Sequence, residues 1–304
     1  MTDVQNSAPQ KEQFTQLNYA QPAAHIARIV MNRPEKRNAQ GLVMTYELDR
    51  AFRKACHDPE IRVIILAGAG DHFNAGHDLS GSEGLMPKGD QSVGLWGEFG
   101  GPGWEGQYSR EKETYFDLIE RWRNAPKPTI AEVQGSVVTG GLMLAWCCDL
   151  IVCSQDARFR DSSPGELGVP GVEFAQHAFE LGVRKAKELL FTSDWISAID
   201  AEKRGMVNHV VERTELEVFT LALATRIAKT DRFVLKLVKE SMNASQDAMG
   251  RKEALGHSFA IHQIGHLQNM MRYGFLIDTS KLPESMLRQV SQLKEAMRAT
   301  ESTE

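Results

Sequence analysis

The sequence is that of an acidic chain with an ordinary composition. It has 304 residues, of which 42% are hydrophobic and 25% charged, and its formal net charge is −5. This length allows one large core or two modest ones, and the acidic balance disfavours a nucleic-acid binder that works through bulk charge. No apolar run approaches the roughly 18 residues of a membrane span, and residues 1–15 are too polar for a signal peptide. We therefore expect a cytoplasmic protein with no membrane or nucleic-acid partner.

The cysteines predict reduced thiols. The chain has 4 cysteines, and those at positions 147, 148 and 153 lie in one apolar region without CxxC spacing. No matching set of histidines and cysteines follows them, so a disulfide or metal framework is not expected.

The predicted elements alternate between strand and helix. A polar tail over residues 1–18, which we expect to be flexible, precedes β-rich runs and segments with helical spacing of apolar side chains. The run at 63–68 is almost continuously apolar, which is typical of a strand buried on both faces. This alternation predicts an α/β core over residues 19–215. In chain order we predict a strand at 25–31, a turn at 32–38, a helix at 41–56, strands at 63–68, 129–133 and 150–153, and a helix at 174–179.

Two segments depart from this alternation. Residues 81–106 combine recurrent glycine with Trp96, Phe99 and Trp104. They form either an irregular surface loop or a lid whose aromatic side chains close over an apolar ligand. Residues 216–304 are rich in Leu, Ala, Lys, Glu and Met with few strand signals. We predict a helical C-terminal region that packs on the core, on another subunit, or on both.

A paired-glycine turn is the most informative motif. Gly140 and Gly141 follow a β-rich run and precede an apolar run that is compatible with a helix. Such a turn presents backbone N–H groups to an anionic oxygen. Glycine matters there because a side chain would block close approach of a substrate. The motif therefore predicts a site that stabilises negative charge on a substrate oxygen.

Five segments, in this order and spacing, resemble the enoyl-CoA hydratase/isomerase (crotonase) superfamily. They are Phe73–Leu79, the paired-glycine segment, residues 159–171, residues 188–198 and the run from Ala201 to Val207. The resemblance implies a crotonase-like ββα spiral core of the α/β class and a helical C-terminal trimerisation region. It also implies homotrimers that often pair into hexamers, and an acyl-CoA thioester as substrate without a separate cofactor.

The resemblance also assigns the groups that would hold the thioester. The backbone N–H groups of His77 and Gly140 would bind the thioester oxygen as charge develops on it, where preorganised donors are most effective. The His77 side chain would then lie at the rim or pack, and Asp78 would cap the following segment. Basic side chains of the turn at 32–39 would either pair with phosphates of coenzyme A or remain solvated. The expected CoA-binding residues are Arg33, Lys36, Arg37, Ala39, Ala75, Gly76, Asp78 and Gly141.

The carboxylate pair of family hydratases is absent from its usual positions. Those two glutamates hold a water and pass protons at the α and β carbons. The first position is Met143 here, and the second falls on Ser163 or Pro164, depending on the direction of counting. A displaced acid is therefore expected, although Glu173 has the alternative role of complementing the N-terminus of the helix at 174–179. The candidate catalytic acids are Glu173, Asp161 and Glu166, and His177 is a further candidate.

Hydration of a 2-enoyl-CoA is the activity that these residues favour. The alternatives are isomerisation, hydrolysis of a thioester or C–C bond on the same fold, and acyl-CoA binding without catalysis. His262 and His266 are four residues apart on a predicted helix, a spacing that can bind a metal. Because no glutamate lies between them as in HExxH and no third ligand is recognisable, we predict packing or surface roles and no metal site.

Overall fold

Two β-sheets organise the part of the chain that the structure describes. The computed structural model describes residues 14–79, 92–96, 99, 103–282, 284, 287, 288, 290 and 291. The strands in these residues are β1 Leu17–Ala23, β2 Ile26–Met31, β3 Val63–Gly68, β4 Thr129–Val133, β5 Ser136–Val138, β6 Leu150–Ser154, β7 Arg158–Arg160, β8 Ile196–Ser197 and β9 His209–Val211. The larger sheet has the order β1-β2-β3-β4-β6-β9; β1 and β2 are antiparallel and the other neighbours are parallel. The smaller sheet has the order β5-β7-β8.

Helices alternate with these strands and then make up the described C-terminal region. The α-helices are α1 Leu42–His57, α2 Glu105–Glu111, α3 Leu118–Arg123, α4 Gly140–Trp146, α5 His177–Leu181, α6 Val183–Thr192, α7 Ala198–Lys203, α8 Leu216–Ile227, α9 Arg232–Ala248 and α10 Arg251–Tyr273. A π-helical segment, Lys112–Asp117, joins α2 to α3. A second π-helical segment spans Ser163–Leu167, and 3₁₀ turns span Pro34–Lys36, Arg213–Glu215 and Thr279–Lys281.

The central strand β3 is buried on both faces, as its continuous apolar run predicts. Ile64 and Leu66 point into the main hydrophobic core, together with apolar side chains of α1 and α4. Val63 and Ile65 point to the opposite face, where they pack with residues of α8 that include Leu223. Burial on both faces explains why β3 shows no alternation of polar and apolar residues.

Some predicted boundaries are wrong. β1 begins at Leu17, inside the tail predicted for 1–18, because it pairs with β2; residues 1–13 lie outside the described part. The helix predicted at 174–179 begins at His177, because Val172 N donates to Asp161 and Phe174 N donates to Met143, which holds the preceding residues in a loop. Most of the 81–106 segment lies outside the described residues, but α2 begins within it at position 105.

All four cysteines are free in the structure, and those at positions 147, 148 and 153 are buried. Burial raises the pKa of Cys153 to about 12, so this thiol stays protonated at neutral pH.

Among the described residues, every helix is too short or too polar to cross a bilayer.

Candidate active site

Two loops meet at the predicted oxyanion site. Asn74 N donates to Ser136 O at 3.4 Å, and Val138 N donates to Asn74 O at 3.0 Å, so the segment before His77 runs alongside β5. Gly76 has φ +92°, and a methyl group on it would lie 2.8 Å from Thr139 Oγ1 and 3.4 Å from the nitrogen of Gly140. Only glycine fits this conformation and this close approach.

The two predicted donors lie next to each other. A methyl group on Gly140 would lie 2.7 Å from Cε1 of the His77 ring, so the two residues are in contact. Within the described residues, the backbone N–H groups of His77 and Gly140 make no hydrogen bond to protein. Thr139, directly before Gly140, has φ +46°, a strained conformation for a β-branched residue. The structure therefore brings into contact the two residues whose N–H groups the resemblance assigns to the thioester oxygen.

A cavity of about 950 Å³ includes His77 and Thr139 in its lining. This volume is at the upper end of the roughly 300–1,000 Å³ of typical ligand pockets. Its apolar wall includes Val172, Leu267 and Met270, which gives a surface suited to a hydrocarbon chain.

Glu173 places a buried carboxylate in this cavity. Its side chain is 6% exposed, and its Oε2 lies 3.1 Å from His77 Nε2. The His77 ring stacks on Tyr115 with 3.8 Å between ring centroids. Burial alone would raise the pKa of Glu173, but the facing His77 and His262 lower it below its ordinary value. A carboxylate that is ionised and fixed in this way can accept a proton.

The region of the missing family carboxylate is close to Glu173 in space. Met143 is fully buried, and its Sδ accepts a hydrogen bond from the backbone N of Phe174 at 3.4 Å. Glu173 is the preceding residue in the chain, so it supplies an acid beside the position that Met143 leaves apolar. The other family position, Ser163 or Pro164, brings no acid; of the two residues, Ser163 lines the cavity.

The other two predicted acids have different surroundings. Asp161 is fully buried and holds its own loop: its Oδ1 accepts from Ser163 N at 3.0 Å and its Oδ2 from Val172 N at 3.1 Å. His177 Nε2 lies 2.9 Å from Asp161 Oδ2, and neither residue is among those that line the cavity. Glu166 lines the cavity, but it is 52% exposed and paired with Arg160 at 2.8 Å.

The predicted CoA-binding turn and loop are joined by an internal ion pair. Arg33 donates to Asp78 Oδ2 at 3.0 Å and to Ala39 O at 2.9 Å, and Ala75 N donates to Arg37 O at 3.0 Å. Asp78 is therefore paired with Arg33. The segment that follows position 79, which Asp78 is expected to cap, lies mostly outside the described residues, so that role stays a prediction.

Of the other predicted CoA-binding residues, Ala75 lines the cavity, whereas three lie away from it. Lys36 and Arg37 are exposed and do not line the cavity as the structure describes it. Gly141 packs inward, since a methyl group on it would lie 2.6 Å from Asn74 O.

Three residues of the cavity were not placed in the site by sequence reasoning, which gave His262 and His266 packing or surface roles and did not consider Glu111. Glu111 at the end of α2 and the α10 histidines His262 and His266 all line the cavity, and all are buried. Burial would raise the pKa of Glu111, but the facing His266 and His262 hold it well below its ordinary value. Burial would lower the pKa of His266, but the facing Glu111 raises it above its ordinary value. The i, i+4 spacing of the histidines was visible in the sequence, whereas Glu111 carried no signal of its own.

Comparison with known proteins identifies the family. The family model for Enoyl-CoA hydratase/isomerase matches residues 21–275. The chain belongs to the enoyl-CoA hydratase/isomerase family. It is 45% identical over 247 residues to "Putative enoyl-CoA hydratase EchA13" of Mycobacterium tuberculosis, covering 79% of this chain and 77% of that protein. It is 31% identical over 241 residues to "Delta(3,5)-Delta(2,4)-dienoyl-CoA isomerase, mitochondrial" of Homo sapiens, covering 77% of this chain and 70% of that one.

Solved structures confirm the architecture of this family member. The crystal structure of "a probable ENOYL-COA Hydratase from Mycobacterium Smegmatis" superposes with a TM-score of 0.77 at 41% identity, covering 86% of this chain and 99% of that one. The crotonase-like α/β core and the helical C-terminal region predicted from the sequence are thereby confirmed. The chain is an enzyme of the enoyl-CoA hydratase/isomerase family.

Proposed function

We propose that this enzyme hydrates a 2-enoyl-CoA thioester, with Glu173 as its acid–base residue. The observation that carries the proposal is the buried Glu173 carboxylate, 3.1 Å from the side chain of His77, in the cavity that His77 lines. The names of several similar proteins refer to the same activity. The site therefore combines a frame for the thioester oxygen with one carboxylate for proton transfer.

The proposed reaction needs one carboxylate that takes and then returns a proton. The backbone N–H groups of His77 and Gly140 hold the thioester oxygen. Glu173 takes a proton from water and the water oxygen bonds to C3. The electron pair of the C2=C3 bond then forms a C1=C2 bond, and the carbonyl π pair moves onto the thioester oxygen. The enolate then collapses as Glu173 returns the proton to C2. The sum is addition of one water, and the largest electrostatic contribution is stabilisation of the enolate oxygen.

Isomerisation of an enoyl-CoA is the second candidate. A single base that removes a proton at one carbon and returns it at another needs no second acid. The absence of an acid at both expected family positions, Met143 and Ser163 or Pro164, favours this reaction. A relative named as a dienoyl-CoA isomerase is 31% identical.

We also propose that the enzyme assembles as a homotrimer or a pair of trimers through its helical C-terminal region. Exposed apolar side chains recur along α9 at Phe233, Leu237 and Val238, and along α10 at Ile264 and Met271. Large apolar side chains that are exposed repeatedly along two helices favour an interface. Light scattering on the full chain would give the mass of the assembly.

Product analysis by mass spectrometry tests the proposed reaction. Purified enzyme would be incubated with CoA thioesters whose acyl groups run from short 2-enoyl to long-chain and aromatic. A product heavier by one water that retains CoA supports hydration, and an isobaric product supports the isomerase instead. Free CoA, or recovery of bound thioester without turnover, contradicts both.

A further inference from the structure

Three buried side chains converge on one point of the cavity wall. His262 and His266 lie one turn apart on α10, and their Nε2 atoms are 2.8 Å apart. Glu111 comes from the other side of the cavity: its Oε1 lies 3.2 Å from His266 Nε2 and its Oε2 lies 3.9 Å from His262 Nε2. Each of the three side chains is at most 6% exposed.

Hydrogen bonds fix the tautomer of both histidines. His262 Nδ1 lies 2.7 Å from Gly171 O, and His266 Nδ1 lies 2.7 Å from Leu276 O. A carbonyl oxygen can only accept, so each Nδ1 carries its hydrogen, and each ring in its neutral form presents a lone pair at Nε2. Two lone pairs at this distance repel each other unless a proton or a metal ion lies between them.

The carboxylate is oriented in the same way. Gln263 Nε2 donates to Glu111 Oε2 at 2.6 Å, and Gln263 Oε1 accepts from Trp104 Nε1 at 3.0 Å. Metal-binding histidines donate their second N–H to a carbonyl or carboxylate, and metal-binding carboxylates are themselves hydrogen-bonded. Every member of this cluster has such an outer partner.

We propose that His262, His266 and Glu111 bind one divalent transition-metal ion of the Zn²⁺ class. A tetrahedral ion with ligand bonds of about 2.0–2.1 Å has ligand–ligand distances of roughly 3.3 Å. The observed distances of 2.8, 3.2 and 3.9 Å lie on both sides of that value. Two histidines and one carboxylate are a donor set of catalytic zinc sites that keep a position open for water.

Glu173 faces this site. Its Oε1 lies 3.7 Å from His262 Nε2, and one ligand atom from each of the four residues lies within 4.8 Å of the others. A water on the metal would lose its proton more readily than free water, and Glu173 would accept that proton. The oxygen of that water would bond to C3 as in the reaction proposed above, and Glu173 would return the proton to C2. This role of the metal rests on the proposed hydration, whereas binding of the metal does not.

Titration with Co²⁺ in the absence of substrate tests the binding. Full-length protein would be stripped with a chelator, checked for native fold by circular dichroism, and titrated with CoCl₂ while visible absorption is recorded. We expect one Co²⁺ per chain with the intense bands of a four-coordinate site, displaced by Zn²⁺. His262→Gln, His266→Gln and Glu111→Gln should each weaken binding by more than the roughly 10- to 100-fold typical of losing an outer partner.

His257→Gln is the matched control, because His257 is exposed on the same helix. It should bind Co²⁺ like the wild type. Glu173→Gln should also bind Co²⁺ but lose hydration, so failure of the proposed reaction and failure of the metal site are distinguishable. Absence of stoichiometric binding would overturn the metal site and leave a shared proton between the two histidines. Equal weakening by His257→Gln, or loss of binding in Glu173→Gln, would overturn the three-ligand assignment.

Discussion

His77 Nε2 lies 3.1 Å from Oε2 of Glu173. This contact links the loop that carries one oxyanion N–H to the carboxylate that we assign to proton transfer. The sequence resemblance predicted that the backbone N–H of His77 binds the thioester oxygen and that its side chain packs or lies at the rim. The structure shows both stacking on Tyr115 and a hydrogen bond to the acid. The side chain therefore positions Glu173.

His77→Phe separates the side-chain role of His77 from its backbone role. Phenylalanine keeps the N–H and can stack on Tyr115, but it loses the hydrogen bond to Glu173. A hydrogen bond to a charged group contributes about 1.5–3 kcal/mol, so we expect kcat to fall about 10- to 100-fold. Steady-state kinetics on a 2-enoyl-CoA would measure this. Unchanged kcat would show that the imidazole contributes nothing to the reaction.

Gly140→Ala tests the oxyanion frame. The added methyl group would lie 2.7 Å from the His77 ring, so the ring or the turn must move. Losing one oxyanion donor typically costs about 10²–10³ in kcat, and we expect a loss of that size. Gly256→Ala on α10 is the control, because a methyl group there meets nothing within 4 Å. Equal activity of the two variants would contradict the assignment.

Much of the fold was predictable because its signals are local. The continuous apolar run of β3 indicated a strand buried on both faces, and the helical spacing from residue 42 indicated α1. The start of α5 was not predictable in this way. Tertiary hydrogen bonds from Val172 to Asp161 and from Phe174 to Met143 hold the residues before it in a loop.

The site was predictable only where its residues lie on neighbouring loops. Glu173 was identifiable because it follows a recognisable family segment. Glu111 was not, since its hydrogen-bond partner Gln263 is 152 positions away in the chain. The i, i+4 spacing of His262 and His266 was visible, but only the fold brings the third side chain to them.

The Arg33–Asp78 pair should hold the turn at 32–39 against the loop at 73–79 and so stabilise the fold. Its side chains are 13% and 5% exposed, so the pair is largely shielded from solvent. A double-mutant cycle with Arg33→Ala and Asp78→Ala, followed by urea unfolding, should give a coupling energy of about 0.5–3 kcal/mol. The exposed Lys185–Glu188 pair on α6 is the control and should give at most about 0.5 kcal/mol. Equal coupling in the two cycles would contradict a structural role for Arg33.

Glu180 should make stability depend on pH. Burial raises the pKa of Glu180 to about 7, although Arg251 and Arg123 act to lower it. The folded state therefore holds this proton more tightly than the unfolded state, whose glutamate has a pKa of about 4.3. The contribution to stability is complete below that unfolded value and is lost as pH rises through about 7.

Glu180→Gln removes this titration. Between about pH 5 and pH 8, the free energy of unfolding of the variant should fall less than that of the wild type. Glu253→Gln is the control, because Glu253 is exposed on α10. Parallel pH profiles for wild type and Glu180→Gln in chemical unfolding would rule out the effect.

The rate of 2-enoyl-CoA hydration by Glu173→Gln, measured beside the wild type, tests the central claim most directly. General acid–base catalysis typically contributes about 10²–10⁴ in rate, so we expect kcat to fall by that factor with KM changed only a few-fold. Glu166→Gln, which alters the half-exposed carboxylate paired with Arg160, should stay within about threefold of the wild type. A Glu173→Gln enzyme that retains a tenth or more of wild-type kcat would contradict the account.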